Sequence, residues 1–258
     1  MLSSLCFVLV VSSSFALPVE NEDRQKRGAS KLHIFEGDMM LTEEQIKAAE
    51  SGMDPINVDG ERGLSAFSRH KWPGAIVPYT LHDSADSVWK RPAILSAMKE
   101  WEEKTCIKFV KRTTQKDYIE FFVGKGCYSS VGRTGGRQRI SLGSGCGFHG
   151  IAVHEIGHAL GFLHEQSRPD RDHWVSIIWS NIPDDRKLNF KKYSHGLIDS
   201  LRVQYDYNSI MHYGKHEFAK WPWQITIVAK NGASLGQRKH LSTLDAKQMN
   251  MFYQCNKN

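Results

Sequence analysis

Apolar and polar positions follow one another along the chain in blocks that predict a short list of elements. Ala75-Ile76-Val77-Pro78-Tyr79, Ile107 to Val110 and Tyr118 to Val123 are short runs rich in β-branched and aromatic residues, and each predicts a strand. Between the first two, Ile94, Leu95, Met98 and Trp101 recur at helical spacing, with Pro92 near the first turn, where its missing N–H leaves nothing unsatisfied. Gly- and Ser-rich stretches, Gly124 to Gly136 and Gly143 to Gly147, predict turns that lead into a second helix from about Gly150 to Leu160. From Arg168 to Gln237 the periodicity fades and the chain reads as loop-rich. A last helix is predicted after Ser242-Thr243-Leu244-Asp245, a capping-box pattern, with Met249, Phe252 and Tyr253 on one face.

The two ends of the pattern differ in kind. Met1 to Phe15 is an apolar, Ser-rich run, shorter than the ~20 residues that span a bilayer, and Ser14-Phe15-Ala16 puts small residues at the two positions a signal peptidase reads. A signal peptide over residues 1–16 is expected, and with it export and no membrane anchor. From Leu17 to about Arg62 the chain is polar, carries the basic cluster Arg24-Gln25-Lys26-Arg27, and holds one short helix candidate capped by Thr42-Glu43-Glu44-Gln45. This segment buries little by itself.

Composition adds few constraints. With 258 residues, 40% hydrophobic and 24% charged, the chain is an ordinary globular protein of at most two modest domains. The net charge is +6, but Lys and Arg are scattered and answered by acids, which describes a solvated basic surface and not a nucleic-acid site. Loss of Cys6 with the signal leaves Cys106, Cys127, Cys146 and Cys255, an even set that predicts two disulfides in an oxidising compartment. Spacing leaves all three pairings open.

The chemistry lies on the second helix. In His154-Glu155-Ile156-Gly157-His158 a spacing of four puts both imidazoles on one face, a turn apart, where they can grip one ion. Gly161 can take the left-handed conformation that stops a helix, so that His164 swings back as a third ligand. Three neutral nitrogens leave one position for water, the arrangement of a catalytic and not a structural zinc, and one Zn2+ suits such a set better than copper or iron. Glu155, beside the ligands but not one of them, is placed to take the zinc-bound water's proton and hand it to the leaving amine. Five such fixed positions coincide by chance in about one in ten thousand sequences of this length, so the pattern carries weight that a lone histidine would not.

The run His154-Glu155-Ile156-Gly157-His158-Ala159-Leu160-Gly161-Phe162-Leu163-His164 resembles the metzincin signature, and Glu165-Gln166-Ser167-Arg168-Pro169-Asp170-Arg171-Asp172 resembles its astacin extension. Ser209-Ile210-Met211-His212-Tyr213 resembles the astacin Met-turn. Glu102-Glu103-Lys104-Thr105-Cys106, Trp72-Pro73-Gly74 and Phe35-Glu36-Gly37-Asp38 match in the same order, so the resemblance spans about Phe35 to Cys255.

That resemblance implies an α+β fold of two subdomains, an upper mixed sheet with two helices and a loop-rich lower part, with protein or peptide substrates lying in the cleft between them. It implies a secreted zinc endopeptidase made as a zymogen: propeptide 17–62, catalytic domain 63–258. Met211 would be a hydrophobic floor beneath the metal, and Tyr213 would hydrogen-bond the oxyanion of the reaction. The implied disulfides are Cys106 with Cys255 and Cys127 with Cys146. Asp38 would occupy the metal in the zymogen only, while Glu36 matches a variable position and is not the expected blocker. A trypsin-like activator would cut after Arg62, and the new amino terminus at Gly63 would reach Glu165. Lys230 lies in a segment that resembles a stretch lining the primed side of the cleft, where its charge would favour acidic residues just after the scissile bond, against the plainer reading of a solvent-facing lysine. The reading from another class is a catalytically inactive binding protein of the same fold, which would need a broken ligand set or a lost Glu155.

Overall fold

The protein is described by a computed structural model over residues 32–53, 55, 70–193 and 203–255. The expected signal peptide, the basic cluster at 24–27 and the expected cut between Arg62 and Gly63 lie outside the described residues.

The chain begins with a hairpin, β1 (Leu32–Phe35) and β2 (Met39–Thr42), followed by helix α1 (Glu43–Glu50). Strand β3 (Ile76–Leu81) leads to helix α2 (Lys90–Lys104), and then come β4 (Lys108–Lys111), β5 (Tyr118–Phe122), β6 (Cys127–Ser130) and β7 (Arg137–Leu142). Helix α3 (His149–Leu160) follows, and beyond it the small strands β8 (Val175–Ile177) and β9 (Ile227–Ala229) and the last helix α4 (Thr243–Tyr253).

One seven-stranded sheet runs in the order β1-β2-β6-β7-β5-β3-β4. It is mixed: β3, β4, β5 and β7 are mutually parallel, and β6 is antiparallel to β7. Strand β2 lies parallel on the outer edge of β6, with Met39 beside Ser129 and Met40 beside Ser130. The three predicted strands appear as β3, β4 and β5 with small shifts at their ends. The turns expected over Gly124 to Gly136 are corrected, because β6 lies inside that stretch. Cys127-Tyr128-Ser129-Ser130 has no alternating apolar signature, since the strand is held by backbone pairing with β2 and β7 and its buried residues, Ser129 and Ser130, are polar.

Helices α2 and α3 pack together behind the sheet. Ile94, Met98 and Trp101 are buried as the spacing predicts, whereas Leu95 is 40% exposed and faces outward. The indole N–H of Trp101 donates to the Val153 carbonyl at 3.1 Å, and that of Trp72 donates to Ala159 at 2.9 Å, so two large side chains grip α3 without leaving a buried donor unpaired. Both capping boxes form. Thr42 Oγ1 accepts from Gln45 N at 3.2 Å while Gln45 Oε1 accepts from Thr42 N at 2.9 Å, and Ser242 and Asp245 repeat the exchange at 2.8 and 2.9 Å.

The apolar side chains of the amino-terminal hairpin do not form a core of their own. Phe35, Met39 and Leu41 are buried with Ala49, Val131, Leu163 and Tyr193, so the segment borrows its core from the body it lies on. Between Gly161 and α4 the described residues form 3₁₀ turns and the β8–β9 pair, packed around Phe190, Tyr205, Tyr213 and Ile227. Cys106 is bonded to Cys255, tying the end of α2 to the end of α4 across 149 residues, and Cys127 to Cys146.

Candidate metal centre and active site

The site starts from the end of α3. Gly161 closes that helix with φ +115, and a β-carbon there would also crowd the Phe252 ring at 3.0 Å, so both backbone and packing call for glycine. The chain then turns back and delivers His164 to the two helical histidines. Ring centroids stand 4.7 Å apart for His154 and His158, 4.8 Å for His158 and His164, and 5.5 Å for His154 and His164. All three are buried.

Their Nε2 atoms converge on one carboxylate. Asp38 Oδ2 lies 3.1 Å from His154 and 3.3 Å from His164, and Asp38 Oδ1 lies 3.6 Å from His158. One ligand atom from each of these four residues falls within 4.8 Å of all the others, which is the size of a single-ion site. Each Nδ1 faces an acceptor, so the tautomer that presents Nε2 is fixed: Ile210 O at 2.8 Å for His154, Phe162 O at 2.8 Å for His158, and Glu36 Oε2 at 2.7 Å for His164. His158 Nε2 and Glu155 Oε2 are buried polar atoms with no hydrogen-bond partner among the described residues. A cation among neutral imidazoles and a carboxylate satisfies this donor set, so the residues fit a zinc ion.

The electrostatics of the chain's own groups follow from burial and from Asp38. Burial opposes charge on Asp38, but the surrounding imidazoles outweigh it and hold the carboxyl well below its usual range. Burial also opposes the His164 cation, yet Asp38 and Glu36 beside it lift its pKa to about 9, whereas burial and Arg238 hold His154 down at about 3. Glu155 is raised well above the ordinary carboxylate value by burial and by Asp38. Burial likewise raises Glu165 to about 8, against Arg168 Nη1 at 3.0 Å and the Asp206 N–H at 2.8 Å.

Met211 lies under the ligands in the buried turn Ser209–Tyr213. Asp245 in the first turn of α4 holds this turn, accepting from Ser209 Oγ at 2.7 Å and from Ile210 N at 2.9 Å. Tyr213 packs its ring 4.6 Å from that of His164, and its hydroxyl donates to the Glu36 carbonyl at 2.8 Å. Asp38, His154, His158 and His164 thus lie together, with Tyr213 packed on His164 and Glu155 in the same cleft.

Two placements differ from expectation or escape it. Glu36, read as a variable position, is 2% exposed with its carboxylate against His164, Ser167 and Tyr193. Arg238 lines the cleft together with Glu155, Asp38 and Glu217 and donates to the His212 carbonyl at 3.0 Å; no local pattern marks it, because its neighbours come from distant segments. Lys230, for which a solvent-facing position is the plainer expectation, points its ammonium at the Asp172 carbonyl at 2.5 Å on an exposed edge, while Arg238 is a cation that lines the cleft.

Two histidines on one helix and a third beyond its glycine stop form the donor set of a catalytic zinc site. The profile of the astacin peptidase family matches residues 65–254, and the chain belongs to that family of zinc metalloendopeptidases. It is 40% identical over 232 residues to Blastula protease 10 of Paracentrotus lividus, covering 86% of this chain and 38% of that protein. It is 39% identical over 227 residues to Meprin A subunit beta of Homo sapiens, covering 87% and 30% respectively. The chain thus spans well under half the length of these relatives. Among solved structures it resembles High choriolytic enzyme 1, a hatching enzyme zinc-protease from Oryzias latipes, with a TM-score of 0.69 and 37% identity over 76% of this chain and 99% of that one.

Proposed function

We propose that the chain is the exported, latent precursor of a zinc endopeptidase, with signal peptide 1–16, propeptide 17–62 and catalytic domain 63–258. The observation that carries this reading is the Asp38 carboxylate set among the three imidazole Nε2 atoms. A carboxylate is a competent zinc ligand and takes the position a reacting water needs. A cut after Arg62 by a trypsin-like protease would detach it, whereas a cut within Arg24–Arg27 would leave Asp38 joined to the enzyme.

Bound zinc polarises a peptide carbonyl and brings the pKa of a water to about 7. Glu155, buried beside that position, accepts the water's proton and returns it to the departing amine. The Tyr213 hydroxyl, released from the Glu36 carbonyl, donates to the oxygen on which charge develops. Strand β6, once β2 leaves its edge, offers backbone groups to an extended protein or peptide substrate. The amino terminus freed at Gly63 would meet Glu165. Export is supported by the two disulfides and the amino-terminal apolar run.

The test is casein hydrolysis by the zinc-loaded chain before and after trypsin treatment. Activity should appear on treatment and vanish with a zinc chelator. Cut, folded, zinc-loaded protein that leaves casein intact would overturn the reading in favour of an inactive binding protein.

A further inference from the structure

The three histidines of the centre are oriented by different parts of the chain. His154 and His158 give their Nδ1–H to carbonyls of the body that holds them, Ile210 and Phe162. His164 gives its own to the side chain of Glu36, in the amino-terminal hairpin segment. The Glu36 carboxylate also accepts from the Ser167 hydroxyl, at 3.3 and 3.4 Å to its two oxygens, and from the Tyr193 phenol. Glu36 takes φ +52, a left-handed backbone that a residue with a β-carbon adopts at a cost, so its side-chain contacts hold it there.

We propose that the Nδ1–H of His164, the hydroxyl of Ser167 and the phenol of Tyr193 form a carboxylate-binding subsite. Glu36 fills it in the latent chain, and an acidic side chain of a bound peptide fills it once the hairpin leaves. The proposal rests on reading residues 17–62 as a removable segment. Three donors converge on the two oxygens of Glu36, and the charge of a carboxylate strengthens all three bonds, whereas a neutral amide, whose NH2 a hydroxyl can accept, forms a weaker set. Departure of Glu36 takes from His164 the acceptor it has in this chain, and a metal-bound imidazole draws its orientation and basicity from such a partner. Arg238 lines the same cleft as Glu36, beside Glu155 and Glu217, but its guanidinium donates to the His212 and Gln237 carbonyls and is not one of the three donors to Glu36.

The probe is an eleven-residue peptide spanning Leu32–Thr42 with Asp38→Asn, so that its metal contact is weakened, made with Glu or with Gln at position 36. Binding is measured by calorimetry to the trypsin-cut chain after zinc chelation, which keeps the readout independent of activity. The Glu peptide should bind at least ten-fold more tightly, and Ser167→Ala should narrow that margin. Equal affinities overturn the subsite, and since both peptides meet the same protein, a folding defect cannot produce that result. On the uncut chain, Glu36→Gln should speed amide hydrogen exchange of Leu32–Thr42 about ten-fold without zinc; unchanged protection also overturns the proposal. The zymogen reading fails separately, if Asp38→Ala precursor stays as inactive as the unaltered one.

Discussion

A β-carbon on Gly157 would lie 2.8 Å from the sulfur of Met211. The glycine between the two helical ligands is thus the space into which the methionine floor rises. Gly157→Ala should displace the flexible thioether, cost about 1–2 kcal/mol and weaken zinc binding through the neighbouring imidazoles. Gly150 is a harsher case, because its β-carbon would stand 1.9 Å from the Arg238 carbonyl, and backbone yields less than a side-chain end. Gly150→Ala should cost about 3 kcal/mol or prevent folding. Urea unfolding of both variants checks the order, and equal stability would contradict it.

Glu155→Ala should keep fold and zinc content while lowering kcat on casein by about 10²–10⁴. Tyr213→Phe should cost less, about 10–100-fold, since the base and the metal stay in place. A Glu155→Ala enzyme retaining a tenth of the activity would remove it from the role of base. Equal losses in the two variants would remove Tyr213 from an auxiliary one.

Zinc uptake by the zinc-free precursor should release protons. With a pKa of about 9, His164 carries a proton at neutral pH that must leave before Nε2 can bind a metal, while His154 at about 3 is already neutral. Apparent affinity should therefore climb with pH, about ten-fold per unit, and level off near pH 9. Calorimetry at pH 7.5 in buffers of different ionisation enthalpy should find at least one proton released per zinc. A binding heat independent of buffer would refute this assignment.

Asp38→Ala should give a precursor that cleaves casein with the hairpin still covalently attached. Arg62→Gln should remain latent under trypsin-like activators. An Asp38→Ala precursor that folds, binds zinc and stays silent would leave steric cover as the source of latency.

Much of the centre is legible in the sequence because its geometry is local. His154 and His158 need only one helical turn, Gly161 only its own φ, and the boxes at Thr42 and Ser242 only four residues each. What escapes such a reading depends on distant partners. The contacts of Glu36 with His164 and Tyr193 cross 128 and 157 residues, and Arg238 enters the cleft because Gly150 admits its carbonyl against α3. Strand β6 reads as turn because nothing in Cys127–Ser130 announces burial. Lys230 is placed only by likeness to a segment, which fixes neither the direction of a side chain nor its partner.

The parallel seating of β2 on β6 has a consequence for the behaviour of the protein in bulk solution. Unpaired strand edges are where folded chains join one another into aggregates. In the chain as it stands that margin is covered by a strand of the same molecule. Removing the cover to admit substrate also bares the edge to other copies of the enzyme. On the proposed function, the segment that silences the enzyme would therefore also keep it colloidally stable, and the freshly cut enzyme should be more prone to self-association when concentrated without substrate.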